Sequence, residues 1–353
     1  MKFWRKPQKD EISLEVTIQH IAKKLGLSVS TVSRALNGSY GVHPRTIARV
    51  QEAAQSLGYV PNLGAKQLVT RKSNLVGVFM PEMEKESIRE FDDIFTTLRK
   101  ALRLYQKEIL IFSVPFTEYK PNSLTEWVRM RNLEGCVFMP PFAKNHPLIK
   151  EAVKLQIPSV NLGSAVGPRC SLVASDDREG GKMAAAYLIG LGHRRIGYIT
   201  GPPDVSICEE RYKGFSEIFL SETGTLHDSA QLEYGDFGGE SGAVAVLKLL
   251  ARAPELTAVC CANDLMAMGA VMELARKGIS VPQDISVMGY DGAFFTAYNN
   301  PPLSTVRHQY ERMGTLAAEM LLEVMNGGAG RTLKLVPELI RRESVNANRI
   351  STD

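Results

Sequence analysis

The feature that most restricts how this chain can fold is an alternation repeated along most of its length. After the charged pair Arg71-Lys72 comes Leu75-Val76-Gly77-Val78-Phe79-Met80, a continuous apolar run closed by Pro81. Similar runs follow at Ile109 to Val114, Cys136 to Met139, Ser159 to Leu162, Ile196 to Thr200, Ala258 to Cys261 and Ile285 to Met288, with helical patterns between most of them. Short runs without polar alternation suit strands buried on both faces, and strands separated by helices build βαβ units with helices on both sides of a parallel sheet. The prediction is an α/β body over residues 74–353. A break near residues 170–176 suggests two lobes.

At 353 residues and roughly 150 residues per domain, the chain makes two or three domains with cores that need no covalent or metal staple. Its 44% hydrophobic content argues against long disorder, and no apolar run reaches the roughly 18 residues of a membrane span. The basic start Met1-Lys2-Phe3-Trp4-Arg5-Lys6 runs into Pro7-Gln8-Lys9-Asp10-Glu11, not into an apolar stretch, so no signal peptide and a cytoplasmic location are expected. The five cysteines show no C-x-x-C spacing, which fits buried, reduced thiols. No G-x-S-x-G elbow, P-loop or H-E-x-x-H occurs, and the six histidines show no ligand spacing; His193, in a Gly-His turn before a strand, reads as structural. No catalytic residue, metal or cofactor is expected.

The net charge of +4 conceals an asymmetry. Residues 1–72 hold 12 Lys and Arg against 4 Asp and Glu, a surplus of 8, which leaves the other 281 residues with 30 against 34. A basic head on a mildly acidic body suggests that the head meets a polyanion while the body does something else.

The head's local pattern sharpens this. Thr17 can cap a helix with apolar Ile18, Ile21, Ala22 and Leu25 at helical spacing, stopped by Gly26. Ser28 then caps a second helix, Val29 to Leu36, which ends at Asn37-Gly38. Two short helices joined by a tight glycine turn form the skeleton of a helix-turn-helix, whose second helix enters the major groove of DNA. Val32, Ala35 and Leu36 face the core, so Val29, Ser30, Thr31, Ser33 and Arg34 face outward. Pro44 starts a third helix with Ile47, Val50, Ala54 and Leu57 on one stripe and Gly58 at its end. Arg34 offers a fork that fits guanine O6 and N7, Val29 can touch a thymine methyl, and Ser30 can donate or accept. Thr17, Ser28, Thr31, Ser33 and Asn37 suit phosphate contacts, although hydroxyls such as Ser28 serve equally as helix caps.

The order Thr17-Ile18-x-x-Ile21-Ala22-x-x-Leu25-Gly26-Leu27-Ser28-x-x-Thr31-Val32-Ser33-Arg34-x-Leu36-Asn37-Gly38, followed by Leu57-Gly58-Tyr59-Val60-Pro61-Asn62, closely resembles the head of the lactose-repressor (LacI/GalR) family of bacterial transcription regulators. The resemblance implies a head at 17–61 behind a basic tail at 1–16, and a hinge helix and linker at 62–73, with Asn62, Ala65, Lys66 and Leu68 at DNA-contacting positions. In the family the paired hinges wedge a leucine, here Leu68, into a central minor-groove step. Val29 and Ser30 match the pair of positions that sets operator choice. Two positions depart from the pattern: Gly64 replaces the usual alanine and weakens the hinge helix, and His43 replaces a serine, so the third helix loses a standard cap.

The body resembles the same family through Glu179-Gly180-Gly181, Leu191-Gly192-His193-Arg194-Arg195-Ile196, Arg211-Tyr212-Lys213-Gly214-Phe215, Ala262-Asn263-Asp264, Gly289-Tyr290-Asp291 and Pro301-Pro302-Leu303-Ser304-Thr305-Val306. The resemblance spans roughly residues 16–345 and implies a periplasmic-binding-protein-like body with three crossovers between lobes, the first lobe about 74–173 plus 303–333 and the second about 174–302 plus 334–345. It places Arg211, Asn263 and Asp291 among the residues that grip a small effector, with Phe237 stacking on a ring or simply filling core, and Phe91 as the aromatic kept near the charged stretch Glu82 to Ser87. Asn263 and Asp291 follow apolar runs, and small ligands sit beyond the carboxyl ends of parallel strands. A guanidinium, an amide and a carboxylate suit a polyhydroxyl or carboxylated metabolite, such as a sugar or sugar derivative. Asp176 and Asp264 read equally well as helix caps. The whole implies a homodimeric repressor of a near-palindromic double-stranded DNA operator, responsive to a small effector. A cytoplasmic small-molecule-binding protein or α/β enzyme without a DNA role is the alternative.

Overall fold

The computed structural model describes residues 16–38, 40–60, 73–82, 92–115, 119–140, 142, 146–155, 157–163, 167–203 and 205–348. The chain divides into two compact units, Met1–Lys72 and Ser73–Asp353.

In the first unit, α1 (Ile18–Leu25), α2 (Val29–Leu36) and α3 (Pro44–Ser56) enclose a small core of Ile21, Ala22, Val32, Ala35, Val50, Ala53 and Ala54. Gly26 ends α1 at φ 65°, a left-handed conformation that glycine adopts without strain, and so sets the turn into α2. The predicted loss of a cap on α3 does not occur. His43 Nδ1 itself accepts the Arg45 amide at 3.2 Å, and Pro44 occupies the first turn.

The second unit contains two six-stranded sheets. The strands are β1 (Leu75–Pro81), β2 (Glu108–Val114), β3 (Gly135–Phe138), β4 (Ser159–Asn161), β5 (Cys170–Ser175), β6 (Ile196–Thr200), β7 (Leu232–Tyr234), β8 (Ala258–Cys261), β9 (Ser286–Asp291), β10 (Ser304–Arg307), β11 (Thr332–Leu335) and β12 (Glu338–Ile340). The first sheet runs β11-β5-β4-β3-β1-β2, parallel throughout. The second runs β12-β10-β9-β8-β6-β7, parallel except for the edge strand β12. The helices between them are α4 (Asp92–Leu104), α5 (Ser123–Arg131), α6 (Pro147–Lys154), α7 (Asp177–Gly190), α8 (Ser206–Thr223), α9 (Gly239–Arg252), α10 (Asp264–Arg276) and α11 (Tyr310–Met325).

Each lobe has its own apolar core. In the first, Val76, Val78, Ile94, Leu98, Met320 and Leu321 fill one face of the sheet, and Phe79, Phe138, Leu124 and Leu148 fill the other. In the second, Tyr198, Phe215, Val246, Val259 and Val287 lead the core. The chain passes between sheets three times, after β5, β10 and β11. The segment 170–176, read as a break, is strand β5 followed directly by the first crossover. Ser304 to Arg307, expected in the first lobe, pairs instead with β9 of the second sheet. Its two leading residues are polar but fully buried, because Ser304 Oγ donates to the Arg342 carbonyl and Thr305 Oγ1 to Asp264. All five cysteines are buried, and burial pushes the Cys260 thiol up to about 12. His193 is held between Thr257 Oγ1 and the Asn346 carbonyl, both at 2.9 Å.

Candidate functional site

In the head, α2 is the open element. Val29 is 42% exposed, Ser30 and Arg34 are exposed, and Thr31 and Ser33 are half-buried. Arg34 lies in the last turn, and among the described residues its guanidinium forms no ion pair. Ser28 Oγ accepts the Thr31 amide at 3.1 Å and lies 2.9 Å from Ser30 Oγ and 2.8 Å from Thr31 Oγ1. Those three hydroxyls therefore form one connected group at the helix N-terminus, where backbone N–H groups and the helix dipole favour an anion. Thr17 sits at the N-terminus of α1, its amide donating to His20 Nδ1 at 3.0 Å. Asn37 closes α2, with its side-chain amide 3.4 Å from Ser33 Oγ. Asn62, Ala65, Lys66, Leu68 and Phe91 lie outside the described residues.

In the body, three residues singled out from the sequence converge beyond the carboxyl ends of the second sheet's strands. Asp291 is the last residue of β9, Asn263 caps α10 just after β8, and Arg211 reaches in from α8. Arg211 Nε donates to Asp177 Oδ1 at 2.8 Å, and Nη1 lies 2.5 Å from the Ala262 carbonyl and 3.1 Å from Asp291 Oδ1. Nη2 is 3.0 Å from His308 Nε2, and the guanidinium lies over the Tyr290 ring, 3.8 Å from its centroid. Arg211 and Asp291 are only 3% and 5% exposed, so this network stands in a low-dielectric setting. Burial alone would lower the Arg211 guanidinium, but the carboxylates of Asp177 and Asp291 raise it well above its ordinary value.

Three glycines make this arrangement possible. A Cβ at Gly181 would strike the Arg211 carbonyl, and one at Gly214 the Arg178 carbonyl, so α7 and α8 cross with their backbones in contact. Gly180 leaves room for the Tyr290 hydroxyl. The motifs Glu179-Gly180-Gly181 and Arg211 to Gly214 thus locate Arg211 sterically. Asp291 adopts φ 108°, a strained backbone for a residue with a Cβ, and such positions cost about 1–3 kcal/mol and gather at functional sites.

Asn263 Oδ1 accepts the Met266 amide at 2.9 Å, and its Nδ2 donates to the Phe237 carbonyl at 2.8 Å. Phe237 is half-buried, with its ring over Gly201, and packs against the lobe core. Asp176 does cap its helix, accepting the Glu179 amide at 3.4 Å, whereas Asp264 does not. Asp264 is fully buried and accepts from Ala293 N at 2.7 Å and Thr305 Oγ1 at 2.6 Å. Burial, then the nearby Asp291 charge, push its carboxyl well above the usual range, against the lowering effect of its hydrogen bonds from Thr305 and Ala293. Sequence reasoning missed Asp177, His308 and Tyr290 as members of the cluster. Their signals were their places, in the segment entering α7, just past β10, and beside Asp291.

The lacI family model of bacterial regulatory proteins matches residues 17–62, and a periplasmic-binding-protein-like domain matches residues 185–345. The HTH-type transcriptional regulator CelR of Thermobifida fusca is 32% identical over 334 residues, 93% of this chain and 98% of that protein. The HTH-type transcriptional regulator GalR of Escherichia coli is 32% identical over 343 residues, 94% and 96% of the two chains. A structure of the lac repressor dimer bound to operator and the anti-inducer ONPF superposes with TM-score 0.82 at 25% identity, covering 94% of this chain and 99% of that one. A CelR–cellobiose complex superposes with TM-score 0.71 at 30% identity, over 93% and 99%. The chain belongs to the lacI family of bacterial regulatory proteins. It is a transcription regulator with a helix-turn-helix head, and the α/β enzyme and the free-standing binding protein are set aside.

Proposed function

We propose that the protein is a cytoplasmic repressor that binds a near-palindromic double-stranded operator as a homodimer, its affinity modulated by a small polar metabolite such as a sugar or sugar derivative. The observation that carries this reading is the open α2 face, with Arg34 exposed beside the capped hydroxyl group of Ser28, Ser30 and Thr31. Arg34 reads guanine, Val29 and Ser30 select the neighbouring bases, and Thr17, Ser28, Thr31, Ser33 and Asn37 hold phosphates. The segment 62–73 serves as the hinge, with Asn62, Ala65, Lys66 and the Leu68 wedge at the minor groove. Arg211, Asn263 and Asp291 bind the effector, with Phe91 and Phe237 as its aromatic neighbours, and a change in lobe arrangement alters operator affinity. The CelR–cellobiose complex and the operator-bound lac repressor dimer support both halves by likeness.

The test is selection of duplexes from a random pool by the full-length protein, followed by a salt titration on the enriched site. Enrichment of a twofold-symmetric sequence and a steep linear fall of log affinity with log salt are expected, because bound phosphates release counterions. Failure to enrich any sequence, or a flat titration, removes the proposal.

A further inference from the structure

The second unit begins at Ser73, and its first residues are held by an enclosed ion pair that lies outside the effector cluster. Lys107 Nζ donates to Glu134 Oε2 at 2.5 Å, with the two side chains 12% and 19% exposed. Among the described residues, only this pair and the Arg211 cluster join charged side chains that are both so enclosed. Glu134 Oε1 accepts the Asn74 amide at 2.9 Å, the Ser73 amide donates to the same carboxylate, and Lys107 Nζ lies 3.4 Å from Asn74 Oδ1. Burial alone would raise the Glu134 carboxyl, but the hydrogen bonds from Lys107 and the Asn74 amide hold it below its ordinary value. The backbone closes the same knot. Glu108 N donates to the Asn74 carbonyl at 2.8 Å and Glu134 N to the Leu75 carbonyl at 2.9 Å.

Three segments distant in sequence meet here: the entry to β1, the turn from α4 into β2, and the start of β3. Asn74 and Gln106 both take φ 57°, a left-handed conformation that asparagine tolerates and glutamine adopts under strain, and the Gln106 turn is what delivers Lys107 to Glu134. A lysine and a glutamate withdrawn from water recover their desolvation only through each other, so such a pair adds little stability over apolar packing but admits one geometry. The clamp sits at the amino ends of β1, β2 and β3. Strands β5 and β11 run parallel to these and leave their carboxyl ends into crossovers, so the clamp lies at the end of the first lobe away from the joint between lobes. The linker joins the body at that far end, through the peptide bond from Lys72 to Ser73.

Resting on the proposed hinge role of residues 62–73, we infer that Lys107 and Glu134 are positioning residues for operator recognition: they fix the point from which each linker starts, and with it the half-site spacing that the paired heads accept. Release of Ser73 and Asn74 lengthens each tether by about 7 Å, at roughly 3.3–3.6 Å per extended residue, and one base pair adds only about 3.4 Å along the duplex. With the tether fixed, the second head binds in an intramolecular step that one spacing satisfies best. With it slack, neighbouring spacings come within reach and the effective concentration at the best one falls.

The test is fluorescence anisotropy of the full-length protein on the duplex enriched from the random pool, and on versions of it with one or two base pairs added to or removed from the centre. The native protein is expected to prefer its own spacing at least tenfold. Lys107→Met and Glu134→Gln should each narrow that preference at least threefold, with faster hydrogen exchange at the Asn74 amide. Two glycines inserted between Lys72 and Ser73 lengthen the tether with the clamp intact and should narrow the preference in the same way. A purely structural role would instead lower the thermal midpoint and weaken every spacing alike. Preference retained in both folded variants, a uniform loss across spacings, an insertion without effect, or a native protein indifferent to spacing each overturns the inference and leaves operator binding in place. Failure of any duplex to be enriched overturns the operator reading itself, and the inference with it.

Discussion

In the head, the groups placed for recognition lie outside and uncommitted, with Val29 42% exposed and Arg34 exposed on α2, whereas in the body Arg211 and Asp291 are 3% and 5% exposed and bonded to each other. The difference follows from what each region meets. A polymer docks against a surface, so its reader can stay solvated until contact, at little energetic cost. A small ligand has to be enclosed, so the enclosing charges must be neutralised by one another in the interim. The head therefore separates stability from recognition, and the body joins them.

The sharpest way to break that contrast is Arg211→Leu. It leaves Asp177 and Asp291 facing each other without a cation, and removal of one member of a buried ionic group costs about 3–5 kcal/mol. Denaturant unfolding of the body should show that loss, and an unchanged midpoint would mean that the cluster is not coupled to stability. Arg34→Ala should do the opposite. Operator affinity should fall by about 1–3 kcal/mol per site and preference relax at one symmetric base position, with the unfolding midpoint unmoved; a binding profile identical to the native one would remove Arg34 as a base reader.

His43→Ala tests the head's own stability. Loss of the Nδ1 cap should cost about 1 kcal/mol, seen as faster hydrogen exchange at the Arg45 amide, and His43→Ser should restore protection. The gentlest expected effect is of pH on the body. Burial lowers the affinity of His193 and His227 for protons in the folded state. The unfolded chain, with histidines near 6.5, then binds more protons than the native one. Stability contributed by these two is present above about pH 6.5 and is lost as pH falls through their lowered folded values. A thermal midpoint that rises on acidification through this window would contradict the assignment.

The strands that were legible as continuous apolar runs, such as β1, β6 and β8, are those whose successive residues are buried on both faces. Strand β10 was not, because Ser304 and Thr305 are buried through hydrogen bonds instead of apolarity. Strand β11 alternates at a sheet edge and carries Lys334, a weak signal at four residues. In the site, Arg211, Asn263 and Asp291 stood out by their place in familiar motifs. Asp177 and His308 stand 34 and 97 residues from Arg211, so their places after a strand mark them as near a cleft, but only the fold joins them to Arg211. The capping by His43 was missed for a different reason: an imidazole nitrogen can accept a backbone N–H as a serine oxygen does.

The backbone contact between α7 and α8 has a mechanical consequence. With no side-chain atoms at Gly181 and Gly214 to yield between them, the two helices form one stiff lever, and α7 begins immediately beyond the first crossover, after Ser175 and Asp176. A twist of that crossover is carried through the paired backbones to the helix that bears Arg211, so the proposed effector contact at the guanidinium and the joint between the lobes sit on one rigid piece.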